Sequence, residues 1–491
     1  MFLGIDLGTS AAKTVLVDEQ QRVIASAVEA LSPVAPQSGW SEDDPDCWWS
    51  AVDRSVLALR SSHPAVLQHV QAIGLSGQMH ACLLLDMQDR RLRPAILWND
   101  GRSAAEAAAL RRAAPGLDAR LGVPPAAGFT APKIAWLRAH EPDLLDKVAV
   151  LLLPKDEIRL RLTGEKATDP SDAAGTWLLD QATRTWCPEA VAVCGVDPAW
   201  LPPLIEADAV AGCLRKPIAD RWGLEAGLPV ACGGGDTPVG GLGIGATRAE
   251  DGFVSLGTSA QVFLADERFT PAPGQLVHAF CHAAPGRWYS MAAMLNGASA
   301  LAAAVSWTGG GDIGATLRRV EAAYAGPAPL LALPYLAGER TPHDDPHARG
   351  VLLGLTAATR PEQIVLAVLE GVAFALADGL AALGTTRRLP RELGFIGGGA
   401  RSDFWGALIA NILGVRLVRY RDAHHGPAFG AARLARLAVS GEALEAVAAK
   451  PAVERVFEPD PAAGAAYAPR LDAFRRLYRA LAPEFGRSAA G

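Results

Sequence analysis

Residues 4–11 read GIDLGTSA, and residues 254–260 read VSLGTSA. Apolar runs flank each turn: MFLGI and KTVLVD around the first, GFV and QVFLAD around the second. An apolar run, a glycine turn and a second apolar run predict a β-hairpin. Such a short match also arises by chance, so its position carries the inference: each copy opens its own half of the chain. A chain written this way is expected to contain one domain twice. The copies differ at one chemically important place, with Asp6 in the first where the second carries Ser255.

A length of 491 residues exceeds what one hydrophobic core supports, which agrees with two domains, read here as residues 1–244 and 252–491. With 50% hydrophobic and 20% charged residues, the composition is that of a globular protein. A net charge of -6 argues against a nucleic-acid partner, which calls for a basic stripe. The seven cysteines are odd in number and form no Cys-x-x-Cys pair, a pattern of free thiols rather than a disulfide framework or zinc site. The residues before Asp6 carry no basic n-region and no small-residue cleavage site, so a signal peptide is not expected. The most apolar stretch, MAAMLNGASALAAAVSW, is broken by Asn296, Gly297 and Ser299 and reads as a buried helix rather than a membrane span. The expected location is the cytoplasm, without a membrane partner.

Strand and helix patterns alternate. FLGIDL, AKTVLVD and RVIASAV predict a three-strand meander. SEDDPDCWWSAVDRSVLALR predicts a helix opening near Pro45, with Trp48, Val52, Val56 and Leu59 on its apolar face. VQAIGLSG reads as a strand, and KVAVLLLPKDEIRLRLTG as a strand and a helix stopped by Gly164. ELGFIGGGARSDFWGALIANILG reads as strand, glycine turn and helix, with Phe404, Trp405, Leu408, Ile409 and Ile412 inward. Near the C-terminus, an amphipathic helix places Leu471, Phe474, Leu477 and Leu481 inside. Interleaved strands and helices predict α/β layers.

Turns made of Gly, Thr and Ser let backbone N–H groups approach an anion closely. Two such turns facing one another across a cleft would hold a polyphosphate. Asp6 could then bind Mg²⁺ and Lys13 add a point charge, the alternative for Asp6 being a turn-capping carboxylate. No Gly-Lys dipeptide occurs, so a Walker-type P-loop is excluded. GLGIGA at 241–246 matches a dinucleotide fingerprint only weakly, because it does not directly follow a strand. Asp236 follows Gly233, Gly234 and Gly235 and an apolar strand. It suits a general base for a substrate hydroxyl and equally a helix N-cap. Gln78, Met79 and His80 follow a strand at its carboxyl end, where ligands of open α/β sheets collect. Pro346 between His343 and His347 works against a helical zinc pair, and His278 with His282 has no further ligands nearby in sequence.

Together GIDLGTS, GQMH, ILWNDGR, GFTAPKIAW, LLPKD, SDAAGTW, GGGD, SLGTS, PYLAGERTPH, GVLLGLT, VLEGVAFALADG and GGGARSDFW resemble the FGGY family of carbohydrate kinases over nearly the whole chain. The resemblance implies two duplicated actin-like ATPase (ribonuclease H-like) domains with a cleft between them. It implies ATP and Mg²⁺ as cofactors and D-xylulose, phosphorylated at its terminal hydroxyl, as the sugar. By the same resemblance Asp236 is the catalytic base, Asp6 the magnesium-associated acid, and Met79 with His80 the sugar-binding pair, with Gln78 and Thr237 beside them. Thr9, Ser10, Lys13, Gly257 and Thr258 are expected to line the phosphates. Gly398, Gly399, Ala400 and Asp403 are expected to border the nucleoside. The chain departs from the family pattern at Thr237, where Asn or Gln is usual, and at Ala11, Ala81 and Ala260, where Gly is common. These departures bear on which sugar is taken, with another ketopentose such as ribulose, or a pentitol, as the rival. Two other classes are an ATP-switched actin-like interaction protein and a nicotinamide dehydrogenase resting on GLGIGA. A homodimer is one assembly the sequence leaves open.

Overall fold

The computed structural model describes residues 1–488. Strands Phe2–Leu7, Ala11–Val17 and Val23–Ala30 form an antiparallel meander. Ala72–Gly77 adds parallel to the first of them, and Pro229–Ala231 adds parallel to that. The second sheet repeats the plan. Gly252–Leu256, Ala260–Asp266 and Trp288–Met294 meander, Glu392–Ile396 adds parallel to the first, and Arg416–Tyr420 adds parallel to that. Two five-strand cores with the same order and sense are what a duplicated domain predicts.

Local chemistry sets the flanking helices. Pro45–Ser62 opens on Asp44, whose carboxylate accepts from the Asp46 N–H, and buries Trp48, Val52, Val56 and Leu59 against the meander. Helix Pro154–Thr163 stops at Gly164, which takes φ 87°. Pro361–Leu383 is long and apolar enough to cross a membrane, but 83% of its most apolar window is buried inside the protein as the central helix of the second half.

The stretch MAAMLNGASALAAAVSW is not one helix. Its first four residues end the strand Trp288–Met294, and only Ala298–Trp307 is helical. Small apolar residues without a period suit either state, and pairing decides: Met291 to Met294 stand in register against Phe263 to Ala260. The Asn296 side chain ends the run by accepting from the Leu336 N–H and donating to the Gly338 carbonyl, both at 2.8 Å.

Helix Gly426–Ser440 belongs to the second half by sequence but lies on the first sheet. Its Ala428, Ala432 and Ala435 pack with Phe2, Val15 and Ala72. Contact is backbone on backbone: a Cβ at Gly4 would sit 2.0 Å from the Ala428 carbonyl oxygen, and one at Gly74 would sit 1.8 Å from that of Ala431. Arg433 on the same helix reaches the Leu242 carbonyl at 2.8 Å and that of Ala449 at 2.6 Å. This helix ties the two halves together and seats the helix Asp236–Gly243, which it also contacts.

Candidate active site

Two cavities meet between the sheets. The smaller, about 220 Å³, is lined by Thr9, Met79, His80 and Trp98 from the first half and by His278 and Arg340 from the second. The larger, about 740 Å³, is lined by Lys13, Ser255, Gly398, Ala400, Arg401 and Arg419 among others. Asp236, Thr237 and Gln261 line both. A carboxylate at the shared wall can touch a ligand in either chamber.

Asp236 is the first residue of helix Asp236–Gly243 and is presented by the strand Gly234–Gly235. Its Oδ1 accepts from the Thr237 N–H at 2.7 Å, and the Thr237 hydroxyl lies 3.4 Å from the same oxygen. Burial, and then the negative charge of Asp6, push the Asp236 carboxyl up to about 7. The segment beneath is pinned by Ser171, whose hydroxyl accepts from the Gly235 N–H at 3.2 Å and donates to Asp169 Oδ2 at 2.5 Å. Asp169 in turn faces the buried Lys155 ammonium at 3.0 Å, which also pairs with Asp156 at 2.6 Å.

Asp6 stands beside Lys13 on one neighbouring strand and Ser76 on the other. Burial raises its carboxyl to about 6, against the opposing pull of the Ser76 hydroxyl and Lys13. Its Oδ1 is buried without a hydrogen-bond partner. An orphaned carboxylate oxygen near a second acid whose charge it opposes is an environment that fits a hard divalent cation.

The first turn does less for an anion than its composition promises. The Thr9 hydroxyl donates to Gln78 Oε1 at 3.0 Å and accepts from Trp98 Nε1 at 2.8 Å, which turns it toward the smaller cavity. Gln78 is buried behind it and lines neither cavity. Ser10 is exposed. Lys13 does reach the larger cavity, with Nζ 2.8 Å from the His424 carbonyl oxygen. In the second turn the carbonyls of Gly257 and Thr258 accept from the N–H groups of Ala298 and Gly297, at 2.7 and 3.0 Å. Neither residue lines either of these two cavities, whereas their neighbours Ser255 and Ser259 do. Gly398 and Ala400 border the larger cavity. Gly399 instead lies against Leu256, and Asp403 pairs with Arg419 at 2.8 Å.

Met79 and His80 face the smaller cavity. His80 adopts φ 69°, and its carbonyl accepts from Lys133 Nζ at 2.8 Å and Thr130 Oγ1 at 3.1 Å. Burial brings the Lys133 ammonium down to about 7. His80 Nδ1 meets the Gly175 carbonyl at 2.8 Å, and a Cβ at Gly175 would lie 2.1 Å from that nitrogen. Only glycine fits there. Sequence reasoning assigned no role to Trp98, His278, Arg340, Gln261, Arg401 or Arg419. Three of these sit inside motifs of the resemblance (ILWNDGR, PYLAGERTPH, GGGARSDFW), which was the available signal.

A polar chamber sized for a small polyol, joined through a carboxylate to a larger chamber holding Lys13, Arg401 and Arg419, defines a phosphotransferase of two α/β domains. The N-terminal domain model of the FGGY family of carbohydrate kinases matches residues 1–243, and the C-terminal domain model matches residues 252–439. A xylulose kinase from Escherichia coli (strain K12) is 44% identical over 98% of this chain and 99% of its own. The crystal structure of a xyloylose kinase from Brucella ovis superposes with a TM-score of 0.94 at 41% identity, covering 98% of this chain and 99% of that one. A gluconate kinase from Lactobacillus acidophilus superposes with a TM-score of 0.92 at 26% identity, over 99% of both chains. The chain belongs to the FGGY family of carbohydrate kinases, and its fold is the two-domain, actin-like α/β fold of that family.

Proposed function

We propose that the chain transfers the γ-phosphoryl group of ATP to the terminal hydroxyl of D-xylulose, giving D-xylulose 5-phosphate and ADP. The observation that carries this reading is Asp236 on the wall common to the two cavities. The identity to xylulose kinases over nearly the whole length supports the choice of sugar.

In this reading residues 1–244 and 252–491 are the two units, with the sugar in the smaller cavity and the nucleotide in the larger. Asp236 accepts the proton of the C5 hydroxyl as that oxygen bonds to the γ-phosphorus and the bond to ADP breaks. A carboxyl near 7 is matched to that task, because a base works best when its pKa lies close to the operating pH. Lys13, Arg401 and Arg419 lie along the polyphosphate and nucleoside side, and charge neutralisation there matters because the transition state is loose. Asp6 would hold Mg²⁺, which when bound supplies positive charge to the phosphates. Met79, His80, Trp98 and Thr9 orient the sugar so that its C5 oxygen points at Asp236.

The test is ADP release coupled to a dye reaction, run over D-xylulose, D-ribulose, xylitol and D-gluconate, with the product's phosphate position read by ³¹P NMR. Highest kcat/KM for D-xylulose with phosphate on C5 is expected. A higher value for any of the other three overturns the assignment.

A further inference from the structure

The smaller cavity carries a carboxylate and a guanidinium on its lining, Asp236 and Arg340. Asp236 stands on the wall shared with the larger cavity. Arg340 lines the cavity with His80 and His278, and its positive charge is felt by both imidazoles. Among the described residues the Arg340 guanidinium makes no hydrogen bond and no ion pair within 4.0 Å, although burial opposes its charge. Arg340 is half-buried, and its guanidinium lines the cavity with five N–H donors that no protein group takes up, so they are free for a ligand. Glu339 and Asp344 favour its charge without a direct ion pair, and the two imidazoles beside it add none. His80 Nδ1 faces the Gly175 carbonyl at 2.8 Å and His278 Nδ1 faces the Met291 carbonyl at 3.4 Å, so in each ring the proton sits on Nδ1. Burial keeps both rings neutral, His278 at about 3 and His80 well below its ordinary value. Each therefore keeps Nε2 as a bare acceptor. This part of the lining offers acceptors beside one strong planar donor.

That set complements a hydroxyketone, whose hydroxyl donates and whose carbonyl oxygen accepts. We propose that Arg340 is a specificity-determining residue that donates to the C2 carbonyl oxygen of the sugar while His80 and His278 accept from its hydroxyls. The proposal deepens, and rests on, the reading of the chain as a kinase of D-xylulose. Its chemical consequence follows from ring closure. In a 2-ketopentose the C5 hydroxyl is the group that closes the furanose ring on C2, so a ring-closed sugar has no C5 hydroxyl to phosphorylate. A site that grips a free carbonyl selects the open chain, the one form whose C5 oxygen can reach Asp236.

Wild-type turnover of D-xylulose is measured first. Its absence overturns the functional reading and this proposal with it. Next, kcat/KM for D-xylulose and the inhibition constant of xylitol, which carries a hydroxyl in place of the C2 carbonyl, are compared in wild type, Arg340→Gln and Arg340→Lys. A hydrogen bond to a charged donor in a buried site carries about a 10- to 100-fold effect. Arg340→Gln is expected to lose that much in kcat/KM for D-xylulose, mainly through KM, with the xylitol constant moving less than about threefold. Arg340→Lys is expected to fall between, since it keeps the charge and loses the planar fork. An unchanged KM for ATP shows that each variant is folded, and Arg340→Lys carries the test if Arg340→Gln does not fold. Equal losses for both sugars would make Arg340 a support for pocket shape, and no loss would remove it from sugar recognition. Either result overturns the proposal while leaving the kinase assignment in place.

Discussion

The two copies of the Gly-Thr-Ser hairpin are the same element put to different uses. In the first, Asp6 sits at the strand end with an orphaned oxygen, and Thr9 is tied sideways to Gln78 and Trp98 at the smaller cavity. In the second, Ser255 replaces the acid, and the turn carbonyls are held by the backbone of Gly297 and Ala298. The difference extends to the face behind each hairpin. The register that matches Asp6 with Ser255 matches Gly4 with Phe253. Gly4 admits helix Gly426–Ser440 onto the first sheet, whereas Phe253 stacks on Phe263, with centroids 4.6 Å apart, and fills the corresponding space. Duplicated backbones thus set up a cleft with two similar walls, and a few side chains make one wall acidic and the other merely polar.

The largest effect expected concerns the acid that both chambers share. Asp236→Asn should lower turnover by about 10²- to 10⁴-fold while nucleotide still binds in a fluorescence titration. Near-normal turnover would remove Asp236 as the base. The same variant carries a stability test. A carboxyl raised to about 7 binds its proton more tightly in the folded than in the unfolded chain, so its contribution to stability falls as pH rises from about 4 to about 7. At pH 8 Asp236→Asn should therefore melt above wild type, and at pH 4 that gain should disappear. In wild type, activity should decline as pH drops below about 7, since the base becomes protonated.

Next in size is the asymmetry of the hairpins themselves. Asp6→Ala should weaken apparent Mg²⁺ affinity by about 10- to 100-fold and lower turnover with it, and Ser255→Ala should leave the metal requirement unchanged. Equal losses in both variants would show that the two walls share the cation. A smaller effect is expected from the packing behind the first hairpin. Gly74→Ala pushes a methyl into the Ala431 carbonyl and should cost about 1–3 kcal/mol in urea unfolding, with turnover reduced because Asp236 rides on the helix seated there. A fully stable, fully active Gly74→Ala would mean that helix Gly426–Ser440 is free to shift. The smallest effect belongs to Thr237. Its hydroxyl is near Asp236 and on both cavity walls, so Thr237→Asn should raise the D-xylulose over D-ribulose ratio of kcat/KM by about one well-placed hydrogen bond, several-fold. An unchanged ratio would place its role on Asp236 alone.

Much of this architecture is legible in the amino-acid sequence because it rests on local chemistry. The meanders, the helix opening at Pro45, the stop at Gly164 and the repeat of the hairpin follow from periodicity, capping and turn residues, which neighbours in the chain supply. Met79, His80, Asp236, Thr237, Lys13, Gly398 and Ala400 all line the cavities, because strand ends and glycine turns put residues there in any α/β sheet of this kind, whereas Asp6 lines neither and acts on Asp236 through its charge. Other features came only with tertiary structure. Met291 to Met294 became strand because a partner edge stood ready to pair, and no periodicity in small apolar residues announces that. Gln78, Gly399 and Asp403 stand one residue or one turn from the cavities, facing Thr9, Leu256 and Arg419 instead, since side-chain direction depends on what packs opposite. Helix Gly426–Ser440 crosses to the other half, and Arg340 lines the same cavity as His80 although the two are 260 positions apart in the chain. A strand or a cap is decided by energies between near neighbours in the chain, and a cavity by which distant surfaces exclude water together.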